Sequence, residues 1–149
     1  MENIFYYKTN VTWKFRRIGE LNEGGMTPIT VATPPEFPGG VPNTWSPEHL
    51  FVASVNVCLM TTFLAIAENS KLDFVEYSSD AEGKLEKVDG RYLISEIILN
   101  PKISVKSEKD IERAQRIIEK AEHHCLISNS IKSNIVLNPI VFIESNKVL

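Results

Sequence analysis

LFVASVNVCLMTTFLAIA, Leu50 to Ala67, is a run of 18 residues without a charge, and its polar members are Ser54, Asn56, Thr61 and Thr62. How this run is read decides the fold. A membrane span needs about 20 mostly apolar residues and favours basic flanks. This stretch is marginally short, carries Asn56 near its middle, and is bracketed by Glu48 and Glu68. It therefore reads as the central helix of a soluble domain, buried on nearly all sides, with no membrane association expected. Its start is well marked. Ser46 is a good N-cap, Pro47 suits the first helical position, and Glu48 meets the positive end of the helix dipole. The helix is expected to run to about Asn69.

On the N-terminal side, Ile4 to Phe15 is rich in aromatic and β-branched residues and reads as a strand, and Met26 to Thr33 reads as a second. Between that strand and the helix, Pro34 to Trp45 holds Pro34, Pro35, Pro38, Pro42 and Gly39-Gly40. That composition predicts a stiff surface loop, of a kind that often carries function. On the C-terminal side, Phe74 to Leu85 and Tyr92 to Leu99 read as strands joined through Asp89-Gly90, a strong hairpin signal. Asn100-Pro101 is expected to break the second of them. A further helix should begin at Ser107, with Asp110 completing a weak capping box. Its apolar positions, Ile111, Ala114, Ile117, Ile118, Ala121 and Cys125, mark one amphipathic face. A last strand spans Ile135 to Ile143. The order β-β-α-β-β-α-β does not alternate as in a doubly wound sheet, so an α+β fold with antiparallel strands is expected.

The chain has 149 residues, 43% of them apolar and 23% charged, which fits one globular domain spanning residues 1–149 and excludes a disordered chain. Sixteen basic residues against 19 acidic ones give a net charge of -3. That balance lacks the footprint of a nucleic-acid binder. The N-terminal stretch, Met1 to Lys8, has no basic segment followed by an apolar core, so the cytoplasm is the expected compartment. Two cysteines cannot build a disulfide scaffold, and in a reducing compartment such a pair is more often reactive or metal-binding.

Cys58 lies inside the apolar helix and Cys125 on the core stripe of the second one. Both can be small core residues. Facing each other across one core, they can instead form a thiol/disulfide redox pair. A metal-thiolate site of Cys58, Cys125 and one of His123 or His124 is a further reading, although adjacent histidines on a helix point apart. His123 and His124 also suit a helix C-terminus when protonated, and His49 is assigned no role. A thiol in apolar surroundings is inert unless something favours its anion. Cys58 lies 12 residues past Ser46, about 18 Å along the axis, so the dipole of its own helix is out of reach. A nearby cation is expected instead, with Arg16 and Arg17 as candidates.

The ordered set Arg17-Ile18-Gly19, Pro35-Glu36-Phe37-Pro38-Gly39-Gly40, Ser46-Pro47-Glu48-His49-Leu50-Phe51, Cys58 in its apolar helix, and Cys125-Leu126-Ile127-Ser128-Asn129-Ser130 resembles the OsmC/Ohr family of peroxide-reducing proteins. The likeness runs from Arg17 to the last strand. Where that family usually has proline after the second cysteine, this chain has Leu126, and Ser46 stands where asparagine is usual. The resemblance implies an intertwined homodimer, each half an antiparallel β-sheet wrapped on two long helices, with the sites at the subunit boundary. It implies that Cys58 is the peroxidatic cysteine and Cys125 the resolving one, that Arg17 holds the Cys58 thiolate, and that Glu48 orients Arg17. The substrate would be an organic hydroperoxide, with hydrogen peroxide as a further option. No cofactor is implied beyond an external dithiol reductant, of lipoyl or similar type. Leu50, Phe51, Met60 and Phe63 are candidates to line a substrate site, although core packing explains them as well.

One point is independent of the family. Glu48 and Cys58 are ten residues apart on one helix, about 15 Å along its axis. Unless the helix breaks, Glu48 serves Cys58 only from a second chain. A binding module for a small apolar ligand, with the cysteines merely packing, is the alternative reading of the same residues.

Overall fold

Trp13 to Ile18 folds back on itself as a tight hairpin in the computed structural model, which describes residues 3–144. Met1 and Glu2 of the N-terminal stretch thus lie outside the described residues. Strand β1 (Asn10–Phe15) pairs antiparallel with β2 (Ile18–Asn22), which pairs antiparallel with β3 (Ile29–Ala32). Arg16 turns the chain with φ 51°, and its carbonyl accepts a hydrogen bond from Trp13 Nε1 at 2.9 Å. Strand β2 was not anticipated. Its sequence, IGELN, lacks the β-branched run that marks a strand, and pairing on both edges supplies the order instead. The Arg16-Arg17 pair accordingly sits in a turn rather than along a strand.

The described chain divides into two compact units, residues 1–50 and 51–149. The first holds the three-stranded sheet and the proline-rich loop. The second holds a larger sheet with most of helix α1 (Pro47–Asn69) and helix α2 (Lys109–His123). The start of α1 is as its sequence dictates. Ser46 Oγ accepts the His49 backbone N–H at 3.1 Å and lies 2.6 Å from His49 Nδ1, so His49 completes the cap.

Strand β4 (Phe74–Val88) and β5 (Arg91–Val105) form a long antiparallel hairpin. Asp89 and Gly90 both take positive φ, 53° and 79°, the geometry of a type I′ turn. Contrary to expectation, Pro101 does not end β5. Leu99 offers its carbonyl to Asn138 on the far edge, so by the two-residue period Pro101 faces that edge too. Strands β6 (Asn134–Leu137) and β7 (Ile140–Ile143) pair there with residues 96–99 and 102–105. Pro101 falls in the gap between them, where no donor is needed.

β6 and β7 correct two further expectations. They are two strands rather than one, and both run parallel to β5, so this sheet is mixed. The crossover through α2 makes parallel return possible. The capping box expected at Ser107 is absent. The Asp110 N–H bonds to the Ser107 carbonyl at 3.0 Å, and the Asp110 carboxylate pairs with Arg113 at 3.0 Å.

Val55, Leu59, Phe63 and Ala67 of α1 meet Ile97, Leu99, Ile103 and Val105 of β5 and Ala114, Ile118 and Ala121 of α2 in one core. Gly83 lets α1 approach β4 closely: a Cβ there would stand 2.4 Å from Val52 Cγ2. Asn56 donates to the Ser79 carbonyl at 2.9 Å and fixes the helix over the sheet. The helix is not buried on nearly all sides, however. Val57 is 53% and Leu64 39% exposed in the single chain, because one sheet and one helix cover only one face of it. By length and composition alone α1 could cross a membrane, but its Val55–Ala67 face is spent on the core.

Candidate functional site

Cys58 and Cys125 come together. Cys58 is on the inner face of α1 and is 8% exposed; Cys125 is fully buried. Both are free thiols, and the Cys125 side chain lies within hydrogen-bonding reach of Cys58. Cys125 follows the end of α2 rather than sitting in it. The helix closes at His123, and the Cys125 N–H bonds to the Glu122 carbonyl at 3.2 Å. The chain then coils through a short 3-10 turn, Ser128–Ser130. That turn is pinned by Asn129 N–H to the Cys125 carbonyl at 3.0 Å and by Ser130 Oγ to the Leu126 carbonyl at 2.6 Å.

The two thiols are pushed in opposite directions. Burial pushes the Cys58 thiol up. The Cys125 thiol, the Ile127 N–H, the Thr62 hydroxyl and the Leu126 N–H all act the other way, and together they bring Cys58 below the ordinary thiol range. Thr62 Oγ1 lies 3.9 Å from the sulfur. Cys125 goes the opposite way. Burial raises it, and so does its hydrogen bond to Cys58, against smaller help from Ser128. Cys58 is thus the more acidic of the two thiols and Cys125 the less acidic, the order that a nucleophile and a resolving partner would need.

Sequence reasoning sought a cation for this task and missed the donors, because backbone N–H groups carry no residue signature. Two successive N–H groups at the start of a turn act on an anion as a helix N-terminus does. The dipole of α1 is indeed out of reach, but the turn after α2 replaces it. Leu126 matters for its backbone: proline in that position would have no N–H to give.

Arg17 and Glu48 belong to the other unit. They line a groove of about 1060 Å³ together with Trp13, Arg16, Phe37 and Pro38. The Arg17 stem lies over Gly39, which takes φ 78°; a Cβ there would stand 3.0 Å from Arg17 Cγ. Among the described residues no ion pair joins Arg17 to Glu48. Helix α1 is unbroken from Pro47 to Asn69. Of the apolar candidates, Leu50 lines the same groove, Phe51 and Met60 are half-buried, and Phe63 is fully buried in the core, its ring 5.1 Å from Tyr77 and 5.3 Å from Phe74. Among the described residues no three His, Cys, Asp or Glu side chains converge as metal ligands, and His123 and His124 are exposed.

A family model for OsmC-like protein matches residues 40–139, a span that holds both cysteines and the turn between α2 and β6. This chain belongs to the OsmC-like family. Among known proteins, the OsmC-like chain is 26% identical over 139 residues to the uncharacterized protein YmaD of Bacillus subtilis, covering 91% of each. An OsmC-like protein of unknown function from Vibrio cholerae has a similar structure, with TM-score 0.83 and 25% identity over 92% of this chain and all of that one. An organic hydroperoxide resistance protein from Elizabethkingia anophelis has the same fold, with TM-score 0.76 and 24% identity over 97% of this chain and all of that one. The OsmC-like fold expected from the motifs is thus present, with its mixed sheet in place of a purely antiparallel one.

Proposed function

We propose that this OsmC-like protein is a cysteine-based peroxidase that reduces organic hydroperoxides in the cytoplasm. The observation that carries the reading is the tuned dithiol, Cys58 held towards its anion by a turn that also presents the Cys125 thiol. The Cys58 thiolate attacks the distal peroxide oxygen, and the O–O bond breaks. The alkoxide leaves and takes a proton, and Cys58 becomes a sulfenic acid. Cys125 condenses with it to give a Cys58–Cys125 disulfide and water. An external dithiol restores both thiols by exchange.

In this reading the protein is a homodimer, and Arg17 and Glu48 reach Cys58 from the partner copy. The unbroken α1 supports that, since it keeps Glu48 and Cys58 of one chain about 15 Å apart along the axis. The exposed Val57 and Leu64 supply an apolar helix face for a second chain to cover. The Arg17 guanidinium then stabilises charge on the leaving alkoxide. Leu50, Phe51 and Met60 favour an alkyl substrate.

The test is turnover of cumene hydroperoxide with a dithiol reductant. Cys58→Ser is expected to abolish it, and Cys125→Ser to leave a trappable sulfenic acid on Cys58. Full turnover in Cys58→Ser, with retained binding of an apolar ligand, would return the protein to the role of a binding module. Light scattering should report a dimer; a fully active monomer contradicts the composite site.

A further inference from the structure

Beside Cys125 lies a set of buried polar groups that the peroxidase reading leaves unused. Five side-chain atoms there are closed off from solvent and complete no hydrogen bond: Asn56 Oδ1 on α1, Tyr77 OH and Ser79 Oγ on β4, Glu122 Oε2 on α2, and Ser128 Oγ on the following turn. A buried polar atom left in that state costs roughly 1–3 kcal/mol, so a cluster of them marks a place kept polar for a reason. Glu122 is the one carboxylate in the cluster. Its neighbour is the Ser128 side chain, and Ser128 in turn neighbours the Cys125 sulfur. Hydrogen bonds of this kind are often long in a resting site and tighten as the reaction proceeds.

Cys125 needs such a neighbour. It is fully buried, so water does not reach its proton, and burial itself pushes its thiol above the ordinary range. A thiol in that state is a poor nucleophile until a base takes the proton. The groups facing Glu122 are Tyr77 from β4 and Ser128, which in turn neighbours Cys125. None of them is cationic. Burial raises the Glu122 carboxyl above its ordinary value, which brings it closer to a thiol as a proton acceptor. The residue as a whole is half-buried.

We infer that Glu122, acting through the Ser128 hydroxyl, takes the thiol proton of Cys125 as the disulfide closes. This makes it a positioning and proton-accepting residue for the resolving step, and in that form it rests on the peroxidase reading. The Cys125 proton passes to Ser128 Oγ while the Ser128 proton passes to Glu122. The freed electron pair on the Cys125 sulfur forms the S–S bond to Cys58. The Cys58 S–O bond breaks with its pair, and the departing hydroxide recovers the proton from Glu122 as water. The pair that the Cys125 sulfur shares replaces the pair that leaves with the oxygen, and the two sulfurs meet at the disulfide level, so no outside oxidant or reductant enters.

The experiment times disulfide closure in the reduced full-length protein across pH, by acid quench, alkylation and mass analysis. Two oxidants are used, cumene hydroperoxide and diamide. Diamide adds to the Cys58 thiolate and leaves as its hydrazine when Cys125 attacks, so closure needs the same Cys125 proton removed without any peroxide. Glu122→Gln is expected to slow closure with both oxidants by about tenfold or more and to remove the inflection in its pH profile. Glu122→Asp is expected to recover part of the rate. A Glu122→Gln variant that closes with diamide at the wild-type rate and with the wild-type pH profile overturns the inference. Should Glu122→Gln fold poorly, Ser128→Ala decides the matter by the same measurement. Wild-type protein that closes with diamide but forms no sulfenic acid with the peroxide refutes the peroxidase reading alone, and the diamide comparison still decides the role of Glu122.

Discussion

Replacing Cys125 with alanine removes the foremost hydrogen-bond donor to Cys58 and leaves a single thiol whose titration is unambiguous. A hydrogen bond to a charged group contributes about 1.5–3 kcal/mol, and about 1.4 kcal/mol corresponds to one pKa unit. The lower end applies, because Ile127, Thr62 and Leu126 still share the charge. Cys58 should therefore rise by about one unit, back towards the ordinary 9.0, since its burial is then less fully offset. The thiolate fraction at neutral pH falls with it. The rate of alkylation of Cys58 by iodoacetamide, followed against pH with the modified residue identified by mass, reads this directly. The fold should survive, since losing one buried sulfur leaves a cavity smaller than a leucine-to-alanine change does. A Cys58 in Cys125→Ala that titrates where the wild-type residue does would refute the account, and the source of its acidity would have to be sought elsewhere.

Leu126→Pro deletes the slightest of the backbone donors at a position where proline suits the first turn; the first macroscopic thiol pKa should rise by less than about one unit, with the circular dichroism unchanged. Glu122 has its carboxyl raised in the folded state, so the stability it contributes is intact below 4.5 and is lost as pH rises through the raised value. The melting temperature of wild type relative to Glu122→Gln should accordingly fall across that window, and a constant difference would contradict the burial. Gly39→Ala forces a left-handed residue with φ 78° and crowds Arg17 Cγ; a loss of roughly 1–2 kcal/mol in chemical denaturation is expected, with a lower kcat/KM for peroxide.

Local signals carried much of the architecture. Ser46-Pro47-Glu48 marks the start of α1 within a residue, and Asp89-Gly90 marks the I′ turn, because caps and tight turns are set by the residues that form them. The parallel return of β6 and β7 was not legible, since pairing direction depends on a crossover far along the chain. Pro101 misled for a related reason: whether a strand tolerates proline depends on what lies along its edge. In the site, the two cysteines stood out by position. Two of the four donors that lower Cys58 are main-chain groups, and Glu122 was passed over as one more charged residue on a helix rich in charge. Its spacing from Cys125, three residues along a helix end, was the available sign.

The placement of Cys125 and its turn between α2 and the C-terminal strands has a consequence during synthesis. Ribosomes deliver Cys58 and Thr62 together within α1, ahead of Cys125, Leu126 and Ile127, the other groups that lower its pKa. A nascent chain that has made α1 and the β4–β5 hairpin therefore carries an ordinary, sluggish thiol. The full set of groups that lower Cys58 is assembled only once the turn after α2 has been made and packed beside it.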